Sequence, residues 1–479
     1  MILSTFSSWD FDNTWLGIIQ IGFVCLVLII SNTLRRKIPF LRNMLLPTAV
    51  IAGFLGLGLK YLIMWLDIRV GATPILNNEF FEIITYHTIA IGFIALTLKT
   101  LKTEGESRTD GTAIKSGLLI VSSYLMQAVI GLVITIALGF LFTSVAQYAG
   151  ILLPMGFGQG PGQAGNIGQV LQDNGFVGGK SFGLSISTFG FLWACIPGVY
   201  YINKLAKQKK ITRYTEVEAS ETLRSEVETK DEIPLTESID KLSIQLCFVG
   251  FVYLVTWLFM QGASNLLVNS GIKFLAKDLN SLLWGFNFIF ALIFTMILKR
   301  ILAFLMKKKI MKRKYTNDYM LNRISGVAFD FMIACSIMAI ELEMLNNWGL
   351  IIALILVTSI GGFITYHYIQ FACKRLYPSY VHEATAGMYG MMTGTASTGV
   401  ALLREIDPNF KTKAADDLVL GSGTAVMFGG PLLIIAGLVY RDGWYWLYGS
   451  LAALFIFFII IYYFLFLFKH KKKVQATNK

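Results

Sequence analysis

Charge is scarce in this chain of 479 residues. Asp, Glu, Lys and Arg make up 15% of it, against roughly a quarter in soluble globular proteins. Apolar residues make up 55%, and the mean hydropathy is +0.62. Too little polar surface is left to wet a soluble fold, which excludes most cytoplasmic chemistry. Paired cysteines are lacking as well. Cys25, Cys195, Cys247, Cys335 and Cys373 all fall in or at the end of apolar runs, with no CxxC pair and no metal-ligand spacing, so they read as small apolar fillers. HExxH is absent, and no Ser or Cys has a His and a carboxylate near it in sequence. The expectation is therefore no enzyme, no catalytic residue and no cofactor. Residues 174–181 end like a phosphate loop, but Asn174 occupies the place of the required first glycine and no predicted strand precedes it. The glycines at Gly158, Gly160 and Gly162 likewise lack the strand context of a dinucleotide site. ATP-driven transport by this chain alone is excluded on these grounds.

Long apolar stretches dominate what is present. They lie near 14–34, 44–66, 81–101, 114–142, 181–204, 243–262, 281–306, 324–345, 350–374, 416–440 and 446–468, each able to cross a bilayer, which needs about 20 residues. The polar start and the basic residues after the first stretch reverse the order of a signal peptide, so that stretch is expected as an uncleaved helix. The formal charge of +12 does not indicate nucleic acid, because the basic residues sit between apolar segments rather than on one water-facing surface. With the N-terminus placed outside, 35 of the 41 Lys and Arg fall on predicted inner segments. Only Lys60, Arg69, Lys180, Lys273, Lys277 and Arg441 remain outside. Counting either of two glycine-rich segments, 146–175 and 380–405, as a full crossing would scramble this asymmetry. Both are expected as re-entrant hairpins, entering and leaving on one side.

The mixed-charge stretch 204–241 reads as a cytoplasmic linker between halves. Each half has four spans, a glycine-rich hairpin and one more span, and the odd number of crossings in the first makes the repeats inverted. The predicted architecture is an all-α membrane protein of about eleven transmembrane helices. It comprises a first repeat at 1–203, the linker, a second repeat at 242–440, and an extra C-terminal helix with a basic cytoplasmic tail at 441–479. Residues Phe157 to Ala164 align without gaps on Tyr389 to Ala396, sharing an aromatic, two glycines and an alanine, and Pro197 falls opposite Pro431. Inverted repeats with broken helices are the architecture of secondary transporters.

Irregular backbone at membrane depth survives only where protein buries it or a wet cavity is lined by it. The candidate ligand-binding residues follow. They are Gly158, Gln159, Gly160, Gly162, Gln163 and Asn166 in the first hairpin, and Gly390, Thr393, Gly394, Thr395, Ser397 and Thr398 in the second. Thr188, Ser422 and Thr424 join them from the following spans, where Ser185 and Ser187 also lie. Neutral oxygens suit Na⁺, and a half-helix N-terminus suits a carboxylate. Two alternatives remain open: close helix packing through small residues, and hydroxyls bonded to the carbonyl one turn back. Glu82, His87, Glu341, Glu343, His367, His382 and Glu383 lie near predicted helix ends and read as interfacial groups. Asp330 has apolar neighbours on both sides and is a candidate ion or proton site.

At these segments the chain resembles the bacterial sodium/glutamate symporter family. Gly158-Gln-Gly-Pro-Gly-Gln-Ala164 is similar to that family's Gly-His-Gly-Thr-Gly-Ala-Ala hairpin motif, and Thr188-Phe-Gly190 to a Thr-Phe-Gly in its next span. The second hairpin, Tyr389 to Ala396, is similar only loosely. The likeness of layout runs from the first span to about Val439. It implies a homodimeric inner-membrane symporter of the bacterial cell that moves L-glutamate inward with Na⁺, a transport region sliding against a scaffold. Gln159 stands where the family has His, Pro161 where it has Thr and Gln163 where it has Ala, departures that bear on the substrate more than on the fold. From the residues alone, the expectation is a secondary transporter of a small anionic solute embedded in the lipid bilayer, with Na⁺ as the co-transported ion. Proton coupling through Asp330, a carrier of another organic acid or amino acid, and a channel are the alternatives; an intramembrane enzyme lacks its constellation.

Overall fold

A computed structural model describes residues 15–43, 47–70, 73–99, 112–208, 241–271, 276, 280–285, 287–311, 313–341, 346–407 and 412–467. In hydrocarbon every backbone N–H and C=O has to be satisfied internally, so each apolar run closes its bonds as a helix. The order is α1 (Leu16–Lys37), the short α2 (Pro39–Asn43), α3 (Thr48–Trp65), α4 (Asn78–Leu98), α5 (Thr112–Leu141), α6 (Leu152–Gly156), α7 (Pro161–Asp173) and α8 (Gly179–Lys207). After the linker come α9 (Lys241–Asn269), α10 (Asn280–Gly285), α11 (Asn287–Lys307), α12 (Asp318–Met338), α13 (Trp348–Leu376), α14 (Val381–Thr393), α15 (Ala396–Arg404), α16 (Ala414–Ala436) and α17 (Trp444–Tyr462). Arg69–Val70 and Thr73–Pro74 pair as a two-residue antiparallel ribbon between α3 and α4. Among the described residues, ten helices are long and apolar enough to cross a membrane: α1, α3, α4, α5, α8, α9, α11, α12, α13 and α17. The eleventh predicted stretch, 416–440, is occupied by the 23-residue α16. The chain is an all-α, multi-pass membrane protein. Most of the linker, residues 209–240, and the basic tail from 468 onward lie outside the described residues.

Helix starts follow local chemistry. Asn77, Asn317 and Asn347 each cap a helix, accepting from the backbone N–H of Phe80, of Met320, and of Gly349 and Leu350; an Asn oxygen here takes a donor that has no intrahelical partner. Pro161 opens α7, where a missing N–H costs nothing. Pro197 and Pro431 lie inside α8 and α16.

Among the described residues, two large apolar cores organise the helices, with a small third cluster of Ile202, Ala386, Leu402 and Ile406. The first is built from α1, α3, α4, α9, α11 and α12, with Val50, Phe81, Ile89, Ile94, Ala291 and Ile333 at its centre. The second is built from α5 to α8 and α13 to α17, around Leu125, Leu153, Phe157, Phe182, Val357 and Tyr389. Each core draws helices from both sides of the linker: α4 packs on α12 in one, and α5 packs on α13 and α16 in the other. Helix α8 joins the two, because its Leu184, Phe191 and Cys195 belong to the first core. Exposed Leu, Ile, Phe and Trp side chains cover α1, α9, α11 and α17, as a lipid-facing surface requires.

Candidate functional site

Both glycine-rich segments fold as two short helices with a break between them. In the first, α6 ends at Gly156 and α7 starts at Pro161. The chain turns at Gly160, whose φ of 90° and ψ of 177° belong to a region open essentially to glycine. In the second, α14 ends at Thr393 and α15 starts at Ala396, and the two fold back on each other. A Cβ on Gly399 would lie 2.5 Å from the Gly387 carbonyl oxygen, so the backbones touch directly.

The two breaks meet. A Cβ on Gly160 would lie 3.0 Å from the Thr395 methyl. Gly190, on α8, faces the Thr393 carbonyl on one side and the Phe157 ring on the other, with no room for a side chain. Tyr124 on α5 donates its hydroxyl to the Gly158 carbonyl at 3.2 Å. Gln127, one turn along α5, donates its Nε2 to the Met392 carbonyl at 2.9 Å and to Thr365 Oγ1 at 3.1 Å. Helix α5 therefore holds both breaks. At this crossing the N-terminal ends of α7 and α15 come together with the C-terminal ends of α6 and α14, so partial charges of both signs converge.

Among the described residues, three buried oxygens on α5, α7 and α8, the helices that come together at the crossing, have no hydrogen-bond partner: Gln127 Oε1, Gln163 Oε1 and Ser187 Oγ. Their side chains are 0%, 6% and 1% exposed. Helices α7 and α8 run antiparallel in close contact, with Gly183 against the Ala164 carbonyl and Gly168 against Gly179. Farther along α8, the Ser187 backbone N would lie 2.9 Å from a Cβ on Gly156, so α8 also packs against the end of α6. An unpartnered buried oxygen costs about 1–3 kcal/mol, and a neutral oxygen is the kind of ligand that a small hard cation accepts. Among the described residues no cluster of His, Cys, Asp or Glu could hold a transition metal.

The remaining candidates divide. Gln159 is partly exposed within the first break. Thr188, Thr393, Ser422 and Thr424 donate to the carbonyls of Leu184, Tyr389, Leu418 and Gly421, the back-bonding expected of membrane hydroxyls. Thr395 and Thr398 bond to each other at 3.4 Å. Gly162 packs on Ile89 of α4, Gly390 on Gly399, and Gly394 on Thr398, so these three serve close approach. Ser397 lies in the first turn of α15, and its side chain is outside the described residues. Asp330 is exposed on α12, with no hydrogen bond or ion pair among the described residues. Of the interfacial groups, His87 meets the Tyr253 hydroxyl and His382 the Tyr201 hydroxyl, while Glu343 lies outside the described residues.

A cavity of about 360 Å³ opens between the two cores. Glu82, Thr85 and Tyr86 of α4 form one wall, Gly165, Asn166, Gln169, Val170 and Asp173 of α7 another, and Lys180, Leu184, Trp284 and Ala339 also line it. Asn166 is the one predicted site residue lining it. Lys180 and Glu82, both in this lining, form an ion pair of 2.5 Å. Sequence reasoning missed Gln127, because a lone Gln in an apolar run carries no periodic signal. It also missed the Lys180–Glu82 pair, whose members lie 98 residues apart; Lys180 reads as the end of an incomplete phosphate loop. In the structure that Lys opens α8 directly after α7, with helix rather than strand before it.

A family model described as sodium/glutamate symporter matches residues 16–412 of the chain. Among curated proteins no match is found.

Proposed function

The chain belongs to the sodium/glutamate symporter family, a transporter family rather than an enzyme family, and on that premise we propose that it carries L-glutamate or a closely similar small anionic solute into the cell with Na⁺, by alternating access. The observation that carries this reading is that the two helix breaks meet, and that α5, α7 and α8, which come together there, each carry a buried oxygen with no hydrogen-bond partner among the described residues. Gln163 Oε1, Ser187 Oγ and Gln127 Oε1 are the groups we assign to Na⁺, together with carbonyls at the ends of α6 and α14. The N-terminus of α7, on the same crossing, is the place for a solute carboxylate, since its N–H groups and dipole favour negative charge. Binding both together neutralises charge at membrane depth, where an uncompensated ion is costly, and this makes the ion and the solute depend on each other.

Alternating access is supported by the division into two apolar cores with the cavity between them. Movement of the core that carries the crossing (α5 to α8, α13 to α17) past the other would expose the site to one side and then the other. The two glycine-rich segments act as re-entrant hairpins of inverted repeats, supported by the same helix–break–helix form at matching places on either side of the linker. We assign the N-terminus to the outside and the C-terminus to the cytoplasm from the distribution of Lys and Arg.

The test is uptake of labelled L-glutamate into proteoliposomes with an inward Na⁺ gradient, and with K⁺ in its place. Concentrative uptake that requires Na⁺ is the expected result. Uptake indifferent to Na⁺ would overturn the coupling, and uptake that never exceeds the outside concentration would indicate a channel.

A further inference from the structure

The lining of the cavity carries an ion pair that belongs to neither apolar core alone. Glu82 follows Phe81, at the centre of the first core, and Lys180 precedes Phe182, in the second. Their side chains are 24% and 18% exposed, so the pair is half sunk into the lining rather than lying on an open surface. A second link runs beside it: the Glu341 N–H donates to Ser181 Oγ at 3.3 Å. Glu341 in turn accepts from Asn78 at 3.3 Å, and Asn78 accepts from Lys60 at 2.7 Å. Lys60 is 1% exposed and donates to the Met338 carbonyl at 2.6 Å, so it is committed to the end of α12 and cannot reach a ligand.

Among the described residues, Lys180 is thus the one basic residue lining the cavity, and Glu82 lies against it. Asp173, the other acid of the lining, already takes Gln169 Nε2 at 2.7 Å. We propose that Lys180 and Glu82 are the recognition pair for an α-amino acid headgroup, Lys180 taking the solute's α-carboxylate and Glu82 its α-ammonium as the pair parts. This rests on the transport reading above and deepens it, because it assigns the class of solute to particular residues. The exchange balances in charge: one ion pair opens and two form, so no charge is left buried without a partner, the circumstance that makes a broken pair costly. Both side chains are long enough to separate while their helices stay in place. Asn166 and Gln169 line the same cavity, and Asn166 lies nearer along α7 to the break at Gly160, so a solute held by its headgroup at the pair extends its side chain toward the N-terminus of α7. An acid without the amine would gain Lys180 and leave Glu82 unpaired beside it, which selects amino acids over simple dicarboxylates.

The experiment compares L-glutamate with glutarate, which has the same carbon chain and both carboxylates but no amine. Inhibition of labelled glutamate uptake in proteoliposomes gives the preference for each variant, and because it is a ratio within one preparation, the yield of folded protein cancels. Wild type is expected to favour glutamate. Glu82→Gln should lower that preference about tenfold or more, Glu82→Asp should keep it, and Lys180→Gln should weaken both solutes together. If Glu82→Gln takes up too little for kinetics, the shift in unfolding temperature of the purified protein by each solute supplies the same ratio. A preference unchanged in Glu82→Gln overturns the proposal and leaves the pair as a link between the two cores. Wild-type protein that fails to take up glutamate with Na⁺ overturns the transport reading itself, a result separate from the first.

Discussion

Replacing Gln163 by Leu separates a cation ligand from an ordinary buried amide. Gln163 is 6% exposed and its Oε1 has no hydrogen-bond partner, a situation that costs about 1–3 kcal/mol. Leu has nearly the same volume and no oxygen to leave unsatisfied, so the cavity term is small. With K⁺ as the only salt, Gln163→Leu should therefore unfold at a higher temperature than wild type, by the equivalent of about 1–3 kcal/mol. With Na⁺ the order should change. An ion present at a hundredfold excess over its dissociation constant stabilises the state that binds it by about 2.7 kcal/mol, and wild type should show that gain while the variant loses most of it. The assay is thermal unfolding of the purified protein in detergent across a Na⁺ titration at constant ionic strength. Equal Na⁺ shifts in wild type and variant would refute the assignment of Gln163 to the ion. A variant less stable than wild type in K⁺ would refute the premise that its oxygen is unpartnered.

Gly160→Ala places a Cβ in a backbone region open essentially to glycine and 3.0 Å from the Thr395 methyl; it should destabilise the protein by about 1–3 kcal/mol in the same unfolding assay, whereas Gly250→Ala, with open space around it, should stay within about 0.5 kcal/mol. Lys60→Met leaves the Met338 carbonyl and Asn78 Oδ1 without their donor, and should cost about 3 kcal/mol, read as a lower unfolding temperature in Na⁺ and K⁺ alike. Asp330→Asn should keep glutamate uptake within about twofold of wild type, as expected for an exposed side chain without a partner. Gly162→Val, driven into Ile89 of α4, should lower uptake about tenfold or more by displacing the start of α7.

Much of the fold is written locally. The eleven apolar stretches fall on eleven helices, and the glycines of 146–175 and 380–405 fall where two helices break. A helix in lipid satisfies its own backbone, so the length and apolarity of one segment suffice to define it, and a cluster of glycines suffices to interrupt it. Asn77, Asn317 and Asn347 act within three residues of themselves, and Gly160 takes a conformation closed to its neighbours whatever the rest of the chain does. Such features need no partner from far away.

Partnership was decided only in three dimensions. Helices from both sides of the linker are sorted into two large cores, Thr395 reaches Gly160, Gln127 bonds Met392, and Lys180 finds Glu82 in the cavity lining. Thr188, Thr393, Ser422 and Thr424 show the same limit from the other side: by type they suit an ion site, and each donates to its own helix instead. Between membrane helices the selecting force is close packing and a few polar bonds rather than exclusion from water, and neither leaves a periodic mark in the sequence. The sequence alone therefore determined which segments are helices and where they break; which breaks meet, and which oxygens remain without a partner where they do, follows from shape complementarity between helices far apart in the chain.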